Sequence, residues 1–315
     1  MMAIPSSRKE DTGLERPLVS VVMPTFNRAR LLERAMRSVL NQTYAQLEII
    51  VVDDASRDNT LEVVKAVQDD RVRYIRHEIN RGGSAARNTG IGAARGEYIA
   101  FLDDDDEWES VKTEEQLWVL ERQNYDAVLC TSDEHGARMS KFDNKKMIDL
   151  EDLRRGRFTA GGTGVLMART DVMQETLFDE NLPRYQDWDV FIRIGQKYRI
   201  GYVNKPFVRY NEGVHERISN KIITMPASAL EKELRMVHKH REFFGEQLYR
   251  WHVCRFMLYG IKYRSDKLAH IFYLVRNYGM GNVVKFLVKR VWQKLTNRPN
   301  QSTQASHVRP MGEGE

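Results

Sequence analysis
Only two cysteines, Cys130 and Cys254, occur in 315 residues, and they lie far apart. That excludes a disulfide framework and a cysteine-rich zinc site. No uninterrupted apolar stretch reaches the 18 or so residues that a simple membrane-crossing helix needs. The first sixteen residues are polar and lack the apolar centre of a secretory signal, so the expected compartment is the cytoplasm. Neither a G-x-G-x-x-G fingerprint nor a G-K-[ST] phosphate loop is present, which argues against dinucleotide oxidoreductases and P-loop NTPases. Hydrophobic residues make up 42% of the chain, close to the globular norm, so wholesale disorder is excluded.

Charge of both signs is present, but unevenly. The net charge is +5, while Glu231–Arg298 alone holds fifteen basic and five acidic residues, a balance of +10. The first 230 residues are therefore slightly acidic. Four spans are expected: a flexible tail over 1–16, a catalytic α/β domain over 17–225, a basic helical region over 226–298, and a flexible tail over 299–315. No recognised nucleic-acid motif accompanies the basic residues, so nucleic acid is not an expected partner.

Segments 18–23, 47–52, 72–76 and 98–102 read as strands, the first two as buried apolar runs. Between them, 28–42, 58–67 and 84–94 read as helices, the first from the stripe Leu31, Leu32, Ala35, Met36, Val39 and Leu40. Ser56 or Asp58 is the expected cap of the second. Strands alternating with helices predict a mostly parallel sheet, with ligands beyond the carboxyl ends of its strands. Further on, 111–123 and 188–198 read as helices, 127–130 and 165–168 as apolar runs, and 135–157 as loop-rich. Near the C-terminus, Val284, Leu287, Val288, Val291 and Leu295 form the apolar stripe of a basic amphipathic helix with Asn282 as N-cap. That helix either lies on an anionic membrane surface or packs with a solvated basic face.

The predicted strand ends carry the chemistry. Asp103-Asp104-Asp105-Asp106 follows a buried strand. Adjacent carboxylates repel, and oxygen-only ligation suits Mg2+ or Mn2+ completed by substrate phosphates. A solvated acidic turn is the bland alternative. Asp53 and Asp54 could accept hydrogen bonds from a base or a ribose. In Pro24-Thr25-Phe26-Asn27-Arg28, Phe26 could stack on a base and Arg28 could meet phosphate. The segment from Arg81-Gly82-Gly83 to Arg87-Asn88 offers close backbone approach and a helix N-terminus.

In this order, the PTFNR loop, the DDASRDNT element (53–60), the RGGSAARNTG segment (81–90) and the GEYIAFLDDDD strand (96–106) resemble family 2 glycosyltransferases, nucleotide-sugar-dependent enzymes of the GT-A fold. The resemblance covers roughly 17–215. It implies a mostly parallel central sheet with flanking helices, followed here by the C-terminal helical region. It implies a donor site built from Pro24, Thr25, Phe26, Asn27, Arg28, Asp54, Gly83, Arg87, Asp103 and Asp104, with the base near Pro24, Phe26 and Asp54 and the ribose near Asp104. It implies Mn2+ or Mg2+ on Asp103 and Asp105, with His215 near the metal or diphosphate. Finally it implies a general base at Asp187 in Pro183-Arg184-Tyr185-Gln186-Asp187-Trp188-Asp189, where Gln186 stands in place of the usual glutamate. Asp189 competes for that role, with a helix-stabilising role as its alternative. Trp188 is expected in the core, and Gly161–Gly164 at the acceptor cleft.

The expected activity is inverting, metal-dependent sugar transfer from a nucleoside diphosphate to a hydroxyl, on a surface polysaccharide or lipid-linked glycan at the inner face of the membrane. A sugar-nucleotide nucleotidyltransferase and a non-catalytic binding module are the competing readings. Release of nucleoside diphosphate, rather than pyrophosphate, separates the first from the second.

Overall fold
The computed structural model describes residues 16–132, 145–156, 162–210, 225–258, 261, 264 and 266–296, with side chains up to 288. The chain divides into two compact units, Met1–His215 and Glu216–Glu315, a boundary ten residues before the expected 225.

The first unit is organised by one mixed sheet. Strands β1 (Val19–Thr25) and β2 (Leu47–Asp53) are buried along their whole length. They pair in parallel from Val19 opposite Leu47 to Thr25 opposite Asp53, so their carboxyl ends are level. Strand β3 (Val72–Arg76) adds to β2 and β4 (Tyr98–Phe101) to β1, both in parallel. Their crossovers are α1 (Ala29–Leu40), α2 (Thr60–Ala66) and α3 (Gly83–Ala93). Helix α1 buries Leu32, Ala35, Met36 and Val39 of the stripe read from the sequence, together with Ala29, while Leu31 and Leu40 of that stripe are half-buried.

Beyond β4 the sheet continues through β8 (Leu166–Arg169), β6 (Ala127–Ser132) and β9 (Ile200–Arg209) to β5 (Glu107–Trp108), each pair antiparallel except β6 with β9, which is parallel. Strand β7 (Met147–Ile148) pairs with β9. Helices α4 (Lys112–Gln123), α5 (Leu150–Arg155), α6 (Thr170–Glu175) and α7 (Gln186–Gly195) complete the unit. The stretch read as loop-rich over 135–157 thus contains β7 and α5. Helix α5 is set by a capping box, in which Asp149 and Asp152 each accept the other's backbone N–H.

Helix α3 lies unusually close to the sheet. A Cβ at Gly90 would fall 2.3 Å from Cγ1 of Val22 in β1. Only glycine lets this helix seat so near β1, and the seating holds Arg87 at the strand ends.

The second unit is helical, with α8 (Ala227–Lys232), α9 (Arg235–Lys239), α10 (Arg241–Met257), α11 (Lys267–Tyr278) and α12 (Met280–Thr296). Glycine at 245, with φ of +69°, kinks α10. Leu230, Phe244, Val253, Leu274, Val283 and Phe286 are buried in it, and Glu231 accepts hydrogen bonds from the hydroxyls of Tyr273 and Tyr278. Helix α12 begins at Met280, so Asn282 is not its N-cap. The Asn282 amide lies inside the first turn and donates to the Tyr278 carbonyl at 2.7 Å.

Candidate active site
The carboxyl ends of β1, β2 and β4 gather the expected residues at one edge of the sheet. Two loops there are stitched together. The backbone N–H of Asn27 donates to Ser56 Oγ at 2.9 Å, and the N–H of Arg57 donates to Asn27 Oδ1 at 2.7 Å. Asp58 serves two helices, accepting from the N–H of Ala29 at the start of α1 and from the N–H of Thr60 at the start of α2. Ser56 therefore caps neither helix. Asn27 and Ala55 both sit at positive φ, 53° and 68°, a backbone state that bulky residues adopt only when their surroundings hold them there.

These loops line a cleft of about 390 Å³ formed by Phe26, Asn27, Ala55, Arg57, Arg76, Glu78, Ile79 and Asn80. Phe26 is 43% exposed, an apolar ring left in water at the mouth of a pocket. Pro24 is buried within β1 and does not line it. Nor does Asp54, whose oxygens are already used. Its Oδ1 accepts from His77 Nδ1 at 2.7 Å and from the N–H of Arg81 at 2.8 Å, and its Oδ2 accepts from the N–H of Gly82 at 2.7 Å. Asp54 is the clamp that holds the glycine loop ahead of α3. Gly82, with φ of +89°, permits the turn, and Gly83 opens the helix.

Three of the four aspartates after β4, Asp103, Asp104 and Asp105, are matched by a guanidinium. Arg28 Nη1 donates to Asp104 Oδ1 at 3.0 Å and to Asp105 Oδ2 at 2.9 Å. Thr25 Oγ1 donates to Asp104 Oδ2 at 2.7 Å. Burial pushes the Asp104 carboxyl up to about 6, although Arg28 and Thr25 pull the other way. Arg87 Nη2 donates to Asp103 Oδ1 at 2.5 Å, its Nη1 to Gln186 Oε1 at 3.3 Å, and its guanidinium lies 5.5 Å from the centre of the Phe178 ring. Thr163 Oγ1 also reaches Asp103 Oδ1, at 3.3 Å. Arg28, expected at a phosphate, here binds carboxylates instead.

Asp187 lies in the first turn of α7, which starts two residues earlier than expected, behind Tyr185 at φ of +59°. Burial pushes its carboxyl up to about 6. The neighbouring Asp103 adds to this rise, while the Trp188 backbone N–H and Arg87 oppose it. Arg87 and Asp103 are thus its electrostatic neighbours. Trp188 is fully buried and donates from Nε1 to the Leu153 carbonyl at 2.8 Å, a core residue as expected. Asp189 is buried and ion-paired with Arg193 within α7, the arrangement its helix-stabilising alternative calls for.

The donor set suits a hard divalent cation. It is oxygen-only, and Oδ2 of Asp103 has no hydrogen-bond partner among the described residues. No group of three or more His, Cys, Asp or Glu side chains among the described residues could hold an ion alone. Asp103 and Asp105 would therefore need outside oxygens to complete a shell, which is how Mg2+ is usually held beside phosphates. His215 and Gly161 lie outside the described residues. The wall of the cleft, Arg57, Arg76, Glu78 and Ile79, was not singled out in the sequence. The one signal the sequence carries there is a lone apolar residue, Ile79, among polar and charged ones.

The family model for glycosyl transferase family 2 matches residues 20–194. The putative colanic acid biosynthesis glycosyl transferase WcaA of Escherichia coli strain K12 is 35% identical over 188 residues, covering 58% of this chain and 67% of its own. The Escherichia coli UDP-Glc:alpha-D-GlcNAc-diphosphoundecaprenol beta-1,3-glucosyltransferase WfgD is 41% identical over 107 residues, 34% of this chain and 42% of its own. This chain spans only about a third of the length of the Rickettsia glycosyltransferases that it also matches. Among solved structures, the mannosyltransferase PcManGT from Pyrobaculum calidifontis, in complex with GDP-Man and Mn2+, superposes with a TM-score of 0.59 at 18% identity, covering 89% of this chain and 81% of that one.

Proposed function
Because the chain belongs to glycosyl transferase family 2 and has the GT-A fold, we propose that it is an inverting glycosyltransferase that moves a sugar from a nucleoside diphosphate to an acceptor hydroxyl. The observation that carries this reading is Asp187. Burial pushes its carboxyl up to about 6, beside Arg87 and Asp103. A general base works best when its pKa lies near the operating pH. In the proposed step the acceptor oxygen attacks the anomeric carbon from the face opposite the diphosphate. The new C–O bond forms as the sugar–phosphate bond breaks, the acceptor proton passes to Asp187, and the diphosphate leaves with its charge.

The other residues have supporting roles. The cleft beside Phe26 and Ile79 receives the base, with Phe26 as a stacking surface. Arg87 faces the leaving diphosphate, and Arg28 holds Asp104 and Asp105 in place. Asp103 and Asp105 would hold Mn2+ or Mg2+, which neutralises charge on the departing diphosphate. The acceptor is a glycan or lipid-linked glycan, the chemistry named for WfgD, and the place of work is the cytoplasmic face of the membrane.

Release of nucleoside diphosphate from nucleotide sugars with a lipid-linked acceptor tests the reaction class. Pyrophosphate as the product would overturn it in favour of nucleotidyl transfer. Asp187→Asn should lose turnover and keep nucleotide binding; unchanged turnover would remove Asp187 as the base.

A further inference from the structure
Helices α11 and α12 each turn an apolar row outward. On α11, His270, Leu274 and Tyr278 are buried, while Leu268 and Phe272, four residues apart, are exposed. On α12, Val283 and Phe286 are buried, while Met280, Val284 and Val288 form an exposed row at the same spacing. These five side chains are between 48% and 85% exposed. Large apolar residues gathered in rows on the surface mark a surface that something covers.

The charge around them says what. From 267 to 296 there are six basic residues and no acidic one. Lys267, Arg276 and Lys285 are exposed, and none has a carboxylate partner among the described residues. Elsewhere in the same unit, Arg241 and Arg250 share Glu246. We propose that the outer rows of α11 and α12 dock on an anionic lipid surface, with the apolar residues entering the interface and the basic ones meeting headgroups. The proposal deepens the reading of a lipid-linked acceptor and rests on it for its purpose. A second copy fits less well, since it would bring two acid-free basic surfaces together. Among the described residues no helix is long and apolar enough to cross a membrane, so the contact is interfacial. Apolar insertion combined with basic attraction is the usual pattern for such helices.

The test is co-sedimentation of the full chain with vesicles of phosphatidylcholine alone or of an equal mixture with phosphatidylglycerol. Binding is expected with the mixture only, and it should weaken as salt rises. Arg276→Glu with Lys285→Glu should lower vesicle binding by at least about tenfold, and Phe272→Ser with Val284→Ser should lower it by a similar factor. All four positions are exposed, and unchanged helical circular dichroism confirms folding. Equal binding to both vesicle types, no binding to either, or full binding by either double variant overturns the proposal. So does a concentration-dependent dimer that the apolar variant abolishes while vesicle binding persists. Nucleoside diphosphate release with a short soluble acceptor is measured alongside. Normal release without vesicle binding sinks the docking and leaves the reaction standing; vesicle binding without release does the reverse.

Discussion
The sheet unit and the helical unit use charge in opposite ways. At the edge of the sheet, cations and carboxylates are matched and held: Arg28 by Asp104 and Asp105, Arg87 by Asp103, and Arg76 by Asp53. On α11 and α12, Lys267, Arg276 and Lys285 have no acidic partner among the described residues and stand beside exposed apolar rows. Matched, part-buried charge is oriented before a ligand arrives and is little screened by salt. Unmatched surface charge is oriented by nothing, and salt screens it fully. The first arrangement suits chemistry at fixed positions; the second suits adhesion to a broad charged surface. Salt should therefore separate them, weakening vesicle binding at concentrations that leave nucleotide binding nearly intact.

The strongest test of the sheet unit removes its proposed base, Asp187. Asp187→Asn should cut turnover by about 10²–10⁴-fold, the usual contribution of a general base, as read from nucleoside diphosphate release. The wild-type kcat/KM should fall as pH drops below about 6, where Asp187 becomes protonated. Stability should move the other way. The folded pKa lies above the ordinary value of 3.8, so this group's favourable contribution is complete below 3.8 and lost as pH rises through about 6. Asp187→Asn should therefore melt at a higher temperature than wild type at pH 8, with the difference gone at pH 4.

Arg87 comes next. It joins Asp103 to Gln186, and hydrogen bonds to charged groups contribute about 1.5–3 kcal/mol each. Arg87→Ala should raise the donor KM by about ten- to a hundredfold, and Arg87→Lys should restore only part of it, since a lysine cannot span two partners in the guanidinium's geometry. If both variants keep the wild-type KM and lose only melting temperature, Arg87 is a structural ion pair alone.

How far all this could be read in advance differs along the same sheet. Strands β1, β2 and β4 and helix α1 were legible because each carries an apolar run or a helical stripe, and α3 because its small residues follow a glycine loop. The antiparallel half was less so. Two-residue strands such as β5 and β7 have no period to detect, and α5 depends on a capping box inside a polar stretch. In the site, residue types were legible and partnerships were not. Asp54 looked like a ligand contact, but its partners are the backbone N–H groups of Arg81 and Gly82, twenty-seven and twenty-eight positions on. Only the folded loop shows that both oxygens are occupied. Likewise Arg28 meets carboxylates 76 and 77 positions away. Asn282 had the composition of a cap but sits inside the first turn of its helix, where its amide donates to the Tyr278 carbonyl.

The seating of α3 can be tested without touching a charge. Gly90→Ala would place a methyl 2.3 Å from Val22. Overpacking of this kind costs about 1–3 kcal/mol, so the melting temperature should fall. Because α3 carries Arg87, the donor KM should rise as well. A fall in stability with an unchanged KM would show that the helix yields without moving the guanidinium.

The smallest effect probes a buried cation at which the sheet unit departs from its own pattern. Lys112 at the start of α4 is fully buried with no carboxylate partner among the described residues. Its ammonium donates to Gln116 Oε1 at 2.5 Å and lies 3.8 Å from the centre of the Trp108 ring. Burial lowers its pKa from 10.5 to about 8, so the unfolded chain binds more protons between these values, and stability should rise with pH through that window. Replacing a buried charge with an apolar residue of similar volume is often neutral or stabilising. Lys112→Met should therefore shift the melting temperature at pH 7 by little, upward if at all, and flatten its rise between pH 8 and 10. A clear loss of stability would mean that the Trp108 ring and Gln116 together compensate the buried charge as fully as a carboxylate does, and that matching cations with aspartates at the sheet edge reflects the site's chemistry rather than a general need of the fold.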